Sequence, residues 1–400
     1  MLPAIHSKNY GVYLCLAVAN LIVSTALLLF FANALDVHAY GTYGVTSTIA
    51  GLALLLVNAG HKEALFKYAS QRKNELLVHT FQSLQGWLVP CYVLALFCFL
   101  FSFWAGLAAL MFLISYTTLA SAAVWRGRAQ YLRDAAIWPL FRLLWLVGCG
   151  SIVLFGIPLE LTHIFGIGCI AISLTFLLLG GQSFLREFRV RYTQMSWPFR
   201  RPALRYFFFI EVVTVAYLKV DMLALFILGL PATDLASYFF SLQLFEAVLL
   251  LLMPLGYLFF NQINRVEPDS EDGSVFITFA MLMTFFSLGI LLFWGVFGGF
   301  ILEALFPLYE TSRSTTEILL LALLPWGVVL LLSHKLIAQG NEPLVARVFF
   351  VGLVTHVFLN FIMVPILGPL GAAWSRVTTE LLMLGQLVFV SFARSTCNKK

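Results

Sequence analysis

Apolar stretches of about twenty residues, separated by short polar breaks, recur along the whole chain. Each is long enough to cross the apolar layer of a membrane as a helix, which satisfies its own backbone hydrogen bonds. The pattern predicts an all-α polytopic membrane protein with twelve spans. They lie near 10–32, 41–60, 76–103, 105–125, 131–156, 159–181, 205–230, 235–260, 273–297, 317–339, 343–366 and 370–392.

Composition agrees with this pattern. Of 400 residues 61% are hydrophobic and 11% are charged, whereas a soluble domain has about 25% charged residues. The six cysteines form no CxxC pair, so we expect them to pack as small apolar side chains, without a metal site or cofactor. The breaks between spans leave no room for a soluble catalytic domain, so we expect neither an enzyme nor a nucleic-acid partner.

The distribution of lysine and arginine predicts the orientation of the chain. If the N-terminus is cytoplasmic, nineteen of the 24 basic residues fall in cytoplasmic segments and one falls in a loop on the opposite side of the membrane. Cytoplasmic loops are the ones enriched in lysine and arginine, so we expect both termini to be cytoplasmic. Four basic residues remain inside predicted spans, and topology does not explain them. These are Arg142, Lys219, Arg347 and Arg376.

The midpoint of the chain separates six predicted helices from six. Asp36 and Tyr40 precede the second span as Asp234 and Tyr238 precede the eighth, at a common offset, which indicates an internal repeat. An even number of helices in each half makes the repeats parallel, and transporters of this design place their site between the halves. The predicted organisation is a bundle over 1–181, a basic cytoplasmic linker over 182–204 and a bundle over 205–400.

Two opposite charges lie near the middle of the seventh span. Lys219 and Asp221 are two residues apart, which puts them about 200° apart around a helix, so they cannot pair with each other. Asp221 shares its side of the helix with Tyr217, Thr214 and, at the edge, Glu211. Charges at this depth are costly and indicate either a polar cavity or a pair between helices, and both interpretations stay open.

Further polar residues fall within the other spans. Arg142 lies midway along its span, where its side chain cannot easily reach the membrane surface. Glu246, mid-span in the eighth helix, is the expected acidic partner for a base, and His356 occupies nearly the repeat position of Arg142. Arg376 and Glu380 are one turn apart, so we predict that they pair.

Basic residues also flank the end of the second span. Lys62 and Lys67 have the positions of topology determinants. Alternatively, they form a basic funnel that attracts phosphate. The several basic residues at depth favour an anionic cargo, although acidic residues lie there as well.

Three segments resemble the Wzx-type polysaccharide flippases of the MOP superfamily. The first, 34–70, has a Tyr-Gly before the second span and a Gly closing it. The second, 217–256, has the mid-helix Asp221, a Tyr and a late Pro, and the third, 338–382, has Asn360, Pro365 and Gly368. These patterns are shared across the superfamily, which also contains drug exporters and lipid II flippases.

The resemblance implies a MATE-like fold and a flippase. Such proteins move undecaprenyl-pyrophosphate-linked oligosaccharide units from the cytoplasmic to the periplasmic leaflet of the bacterial inner membrane, for O-antigen, capsule or exopolysaccharide synthesis. It further implies a proton or sodium gradient as the driving force, with membrane lipids, a polysaccharide polymerase and a chain-length regulator as partners. In this interpretation Lys219 and Arg142 hold the pyrophosphate, and Asp221 and Glu246 balance charge or carry a coupling proton.

Two other functions are weighed against the flippase. A cation-coupled small-molecule or drug exporter of the same superfamily is the main alternative, disfavoured by the number of basic residues at depth. A glycan polymerase or ligase would need a large outward loop, and the largest one here, 298–316, is short.

Overall fold

The computed structural model describes residues 7–58, 61–70, 74–128, 130–181, 202–263 and 272–397. Every regular element within these ranges is helical, which confirms the all-α prediction. The chain forms two compact units, the first containing residues 1–39 and 46–215 and the second 40–45 and 216–400. Most of the predicted linker 182–204 lies outside the described residues.

In the described part of the chain, the first unit is built mainly from seven helices. Helix α1 packs on α6, and α5 packs against α3, α4 and α7. The close helix contacts involve small residues on α5, where Ala120, Ser121 and Ala122 are almost fully buried. The helices are α1 (Ser7–Ala34), α2 (Val37–Asn58), α3 (His61–Ser70), α4 (Asn74–Phe101), α5 (Phe103–Gly127), α6 (Tyr131–Leu154) and α7 (Leu161–Leu178).

Apart from residues 40–45, the second unit starts within helix α8, which contributes to both units. Helix α12 is central and contacts α9, α10, α13 and α14, and α13 packs along α14. The elements are α8 (Pro202–Ile227), α9 (Ala232–Ile263), α10 (Asp272–Leu305), a 3-10 turn (Pro307–Ser312), α11 (Arg313–Leu321), α12 (Leu323–Ala338), α13 (Glu342–Leu367) and α14 (Pro369–Cys397).

The twelve predicted spans correspond in order to these helices, with two differences. Seven spans within the described residues are long and apolar enough to cross a membrane, while α8 and α14 carry charges inside their apolar length. The first difference is α3, which the sequence pattern did not predict. Its ten residues are too short to span a membrane, and its Ala64 and Leu65 are fully buried in a unit where α3 contacts α4 and α5.

The second difference is a break in the predicted span 317–339. The structure divides it into α11, ending at Leu321, and α12, starting at Leu323. Pro325 explains the position of the break, because proline has no N–H to donate to the carbonyl four residues earlier, at Leu321. The hydroxyl of Ser287 donates to the carbonyl of Leu323 over 3.5 Å, so a neighbouring helix supplies a side-chain contact at the break.

Helices α13 and α14 meet in a tight turn. Gly368 ends α13 with φ 58°, a backbone conformation that favours glycine, and Pro369 begins α14. A Cβ on Gly371 would lie 2.2 Å from the backbone oxygen of Met363. The two helices therefore start in contact, which places their polar residues side by side.

Within the second unit, residues 40–45 of α2 approach α9 closely. A Cβ on Gly41 would lie 3.0 Å from the carbonyl oxygen of Ala232, and one on Gly44 would lie 2.5 Å from the ring of Phe239. Tyr40 packs on the same ring, with centroids 5.3 Å apart. Two glycines one turn apart therefore allow this contact.

Candidate functional site

Asp221 on α8 is the centre of a sealed polar cluster in the second unit. Arg376 on α14 donates through Nε to Asp221 Oδ2 over 2.8 Å, and its Nη2 lies 2.6 Å from the same oxygen. Nη2 also donates to the carbonyl of Leu218 over 2.9 Å. Both charged side chains have no exposed surface, so each neutralises the other away from solvent.

Three further residues complete the surroundings of Asp221. The hydroxyl of Tyr238 on α9 donates to Oδ2 over 2.6 Å, and the amide of Asn360 on α13 donates to Oδ1 over 3.1 Å. His356, one turn before Asn360, contacts Oδ1 through Nε2. Helices α8, α9, α13 and α14 thus all contact one carboxylate, and its partners are supplied by the protein.

The predicted pair between Arg376 and Glu380 is wrong. Arg376 turns instead to Asp221, and Glu380 Oε1 accepts a hydrogen bond from the hydroxyl of Tyr217 over 2.9 Å. The physical reason is geometric: the guanidinium reaches Asp221 Oδ2 through both Nε and Nη2, and Nη2 also donates to the Leu218 carbonyl. These charge-assisted contacts with α8 take the place of one contact along α14. Tyr217, predicted to share the polar side of α8, is almost fully buried.

Lys219 forms a different pair, with Glu246. Its Nζ lies 2.5 Å from Glu246 Oε1, joining α8 to α9. As predicted, Lys219 and Asp221 do not pair with each other, and Glu246 partners a base. In contrast with Asp221, these side chains are partly exposed, at 19% for Lys219 and 29% for Glu246.

This exposure restricts what lies next to the pair. An ammonium and a carboxylate in the middle of membrane helices are strongly disfavoured against lipid tails. The exposed side of Lys219 and Glu246 must therefore face water or a polar molecule. Gln243, one turn before Glu246 on α9, is also partly exposed, which extends the polar surface along that helix.

Arg142 is held within the first unit. Its Nη1 donates to Asn20 Oδ1 over 2.7 Å and to Ser24 Oγ over 2.5 Å, both on α1. The guanidinium also lies over the ring of Trp138, 5.5 Å from its centroid. Arg142 thus joins α6 to α1, as His356, at nearly the same repeat position, joins α13 to α8.

Thr214, Glu211 and Lys62 have partners outside the Asp221 cluster. Thr214 Oγ1 donates to the carbonyl of Ile210 in its own helix over 2.7 Å, and Glu211 pairs with Lys62 at 3.0 Å. Lys62 and Lys67 lie on α3, the short helix that follows the second span. The side chain of Lys67 is outside the described residues, and within the described ranges three or more metal-ligating side chains never cluster.

Arg376 was not predicted as the partner of Asp221. Two signals pointed to the cluster: Tyr238 belongs to the repeated Asp-Tyr pattern, and Asn360 belongs to the third resembling segment. Both bind Asp221. A third signal was that the Asp221 carboxylate needs a cation, and helix geometry excludes Lys219 as that cation.

Comparison with known proteins identifies the fold. No family model matches the chain, and no curated protein matches it in sequence. Among solved structures, a MATE protein in complex with MaL6 is similar, with a TM-score of 0.69 and 14% identity over 98% of each chain. An outward-facing multidrug resistance MATE family transporter of the MOP superfamily is also similar, with a TM-score of 0.66 and 13% identity. The match covers 98% of this chain and 96% of the transporter.

The lipid II flippase MurJ, in an inward closed conformation, is similar to the same degree. The TM-score is 0.66 at 13% identity, covering 94% of this chain and 87% of that one. Identities this low show the fold alone. The chain is therefore a membrane protein with the twelve-helix fold of MATE-type transporters, as the sequence predicted.

Proposed function

We propose that this protein is a flippase that moves an undecaprenyl-pyrophosphate-linked oligosaccharide unit from the cytoplasmic to the periplasmic leaflet by alternating access. The observation that carries the proposal is the partly exposed Lys219–Glu246 pair. A lysine that faces a polar space within the membrane is a binding group for an anion.

The pyrophosphate would compete with Glu246 for Lys219. Both partners are anionic, so the ammonium exchanges one charge-assisted hydrogen bond for another. Glu246 then returns to Lys219 when the cargo leaves, and the empty protein does not retain an unpaired charge. This exchange makes binding reversible, which a carrier requires. Sugars, which are uncharged and polar, would lie against Gln243 and the adjoining surface.

Asp221 receives a different role from the one its sequence position suggested. Its oxygens bind Arg376, Tyr238 and Asn360, and its side chain has no exposed surface. We therefore assign it to holding four helices together and not to contacting cargo. Arg142 is a second candidate phosphate group, tested separately because it lies in the first unit.

The proposed setting follows from the cargo. It is the inner membrane of a bacterium, with both termini cytoplasmic, lipid-linked oligosaccharide as substrate and an ion gradient as driving force. A polymerase and a chain-length regulator would act on the product in the periplasm. The flippase interpretation is supported by the fold shared with a lipid II flippase.

A cation-coupled exporter of small molecules is the second candidate. The fold shared with a multidrug resistance MATE family transporter favours it, as does Glu246, whose partly exposed carboxylate would bind a cationic compound. The two candidates differ in which member of the Lys219–Glu246 pair contacts the cargo.

The test measures the leaflet on which repeat units accumulate. Spheroplasts of a strain lacking the gene are treated with a membrane-impermeant pyrophosphatase, and cleaved and intact lipid-linked units are counted. We expect protected units in the mutant, cleaved units after complementation with the wild type, and protection again with Lys219→Ala. Lys335→Ala, a partly buried lysine of the same unit, is the matched control.

Periplasmic repeat units at wild-type levels in the mutant would contradict the flippase. Normal surface polysaccharide combined with sensitivity to cationic drugs would instead support the exporter. Glu246→Gln separates the two further, because it should abolish export of cations and leave an anion site intact.

A further inference from the structure

Glu380 on α14 has unusual surroundings for an acid. It is buried, with 1% of the residue exposed, and Oε1 accepts one hydrogen bond, from Tyr217. Among the described residues its Oε2 has no hydrogen-bond partner, and Nη1 of the neighbouring Arg376 also has none. A carboxylate left half unsatisfied in a sealed apolar interior is costly, whereas a protonated carboxyl is far less so.

His356 lies nearby, and each of its ring nitrogens is next to a polar group. Nε2 faces the Asp221 carboxylate, which accepts hydrogen bonds. Nδ1 lies 3.3 Å from Thr379 Oγ1, and that hydroxyl already donates its proton to the carbonyl of Ser375 over 2.7 Å. The hydroxyl oxygen is therefore an acceptor, and the hydrogen-bond network fits a ring that donates from both nitrogens, which is the cationic form.

The charges of the cluster balance only with a bound proton. Asp221 and Glu380 are acids, Arg376 is permanently cationic, and His356 is cationic or neutral. With both acids ionised and His356 neutral, the sealed cluster has a net negative charge, which burial disfavours. One proton, on His356 or on Glu380, makes it neutral.

We infer that His356 and Glu380 form a proton-binding site that shares one exchangeable proton. Tyr217 lies between them, because its hydroxyl donates to Glu380 and its ring centroid is 4.8 Å from that of His356. In the loaded state the cluster is neutral and stays sealed between α8, α13 and α14. Loss of the proton leaves a negative charge that favours a hydrated, opened arrangement of these helices, so proton release is linked to a conformational change.

Other charged and titratable groups described on the helices packed against α14 either have partners of their own or lie near helix ends, as Asp234 does in the first turn of α9. The remaining groups on α13, Glu342 and Arg347, lie in its first two turns, away from His356. Lys219 pairs with Glu246, Arg313 pairs with Glu317, Tyr238 binds Asp221, His334 faces the Gly256 carbonyl, and Lys335 lies over the Phe276 ring. None of these contacts involves His356 or Glu380, so the shared proton is local.

Infrared difference spectroscopy of the full chain in lipid nanodiscs tests the site. Spectra taken at acid and alkaline pH should contain a protonated-carboxyl band that disappears in Glu380→Gln and stays in Glu317→Gln, an exposed acid of the same unit. In His356→Gln the shared proton can bind only to Glu380, so the protonated-carboxyl band should grow. Tyr217→Phe should move it to higher wavenumber, because the carbonyl loses its hydrogen-bond donor.

Two results would overturn the inference. One is a spectrum of Glu380→Gln identical to that of the wild type, which would make Glu380 a static residue. The other is a Glu380 band unchanged in size by His356→Gln, which would show that the two residues do not share a proton. Folding of each variant is checked by gel filtration and thermal unfolding, and Glu380→Gln keeps the acceptor for Tyr217.

The inference deepens the proposed function by naming its coupling ion as a proton, and it rests on that proposal for the transport step. The spectra require no cargo, so they stand even if the leaflet assay contradicts the flippase. For the transport step, a pH gradient imposed on proteoliposomes should drive movement of undecaprenyl pyrophosphate by the wild type and not by Glu380→Gln. Equal gradient-driven rates for the two proteins would overturn the coupling.

Discussion

Arg376 on α14 donates to Asp221 on α8 across 2.8 Å, and neither side chain has any exposed surface. Lys219, two residues before Asp221, forms an ion pair with Glu246. In this pair 19% of the Lys219 side chain and 29% of the Glu246 side chain are exposed. One helix thus has a sealed ion pair and an accessible one on opposite sides. Sealed pairs are costly to break, whereas accessible pairs exchange partners at little cost. The two pairs therefore predict opposite responses to substitution.

Breaking the sealed pair should destabilise the protein. Asp221→Leu leaves the Arg376 guanidinium buried without its counterion, at a cost of about 3–5 kcal/mol in the free energy of unfolding. The double variant Asp221→Leu/Arg376→Met removes both charges and should recover most of this loss. Unfolding of the purified protein in detergent measures it. Equal destabilisation in the single and double variants would show that packing, not charge, is lost.

Breaking the accessible pair should affect transport more than stability. Lys219→Ala should cost less in the free energy of unfolding than Asp221→Leu, because the Glu246 carboxylate that it leaves unpaired keeps 29% of its side chain exposed. Transport should fall by roughly tenfold to a hundredfold, the equivalent of one charge-assisted hydrogen bond to the cargo. Lys219→Arg keeps a cation and should retain most activity. The leaflet assay provides the measurement. Full transport by Lys219→Ala would show that Lys219 does not hold the pyrophosphate of the cargo.

The contact of Arg142 with α1 predicts a stability effect in the first unit. Asn20→Leu preserves the approximate volume and removes the acceptor that lies 2.7 Å from Nη1, so it should cost about 1–3 kcal/mol. Asn33→Leu is the control, because Asn33 is exposed on the same helix and donates to its own backbone at Leu29. Thermal unfolding of both variants should separate them. A similar loss in each would mean that Arg142 does not depend on Asn20.

The α13–α14 turn allows a matched pair of glycine substitutions. In Gly371→Ala the new Cβ would lie 2.2 Å from the Met363 oxygen, and such overpacking costs about 1–3 kcal/mol. Gly385 on the same helix has nothing within 4 Å of the equivalent position, so Gly385→Ala should stabilise by about 0.5–1 kcal/mol through helix propensity. The two melting temperatures should move in opposite directions, and a shared direction would contradict the close approach at Gly371.

The length of the apolar stretches was sufficient to predict the spans, and helical periodicity separated Lys219 from Asp221. Depth within the span was enough to select Glu246, because few acids lie there. The same local reasoning failed for Arg376, where the neighbour one turn away was preferred to a partner 155 residues distant. Local spacing describes exposed helix surfaces well, whereas the partner of a buried cation depends on which carboxylate the tertiary packing brings within reach of its N–H groups.

Two features of the fold escaped prediction for different reasons. Helix α3 is short and only partly apolar, so a search for spans does not detect it. The break before α12 was detectable in principle, since Pro325 removes a hydrogen bond in mid-span, but an apolar length of over twenty residues concealed it. At these two points the chemistry of single residues predicts the helix boundaries better than average hydropathy does.

The glycine contact between α2 and α9 has a consequence for biogenesis. Gly44 is synthesised about 195 residues before its neighbour Phe239, so at translation rates of about 5–20 residues per second it waits roughly 10–40 s for that partner. During this interval the glycine surface of α2 lies against lipid or the insertion machinery. The second unit therefore closes around a segment inserted early in synthesis, and truncated chains that stop before α9 should be degraded faster than the full-length protein.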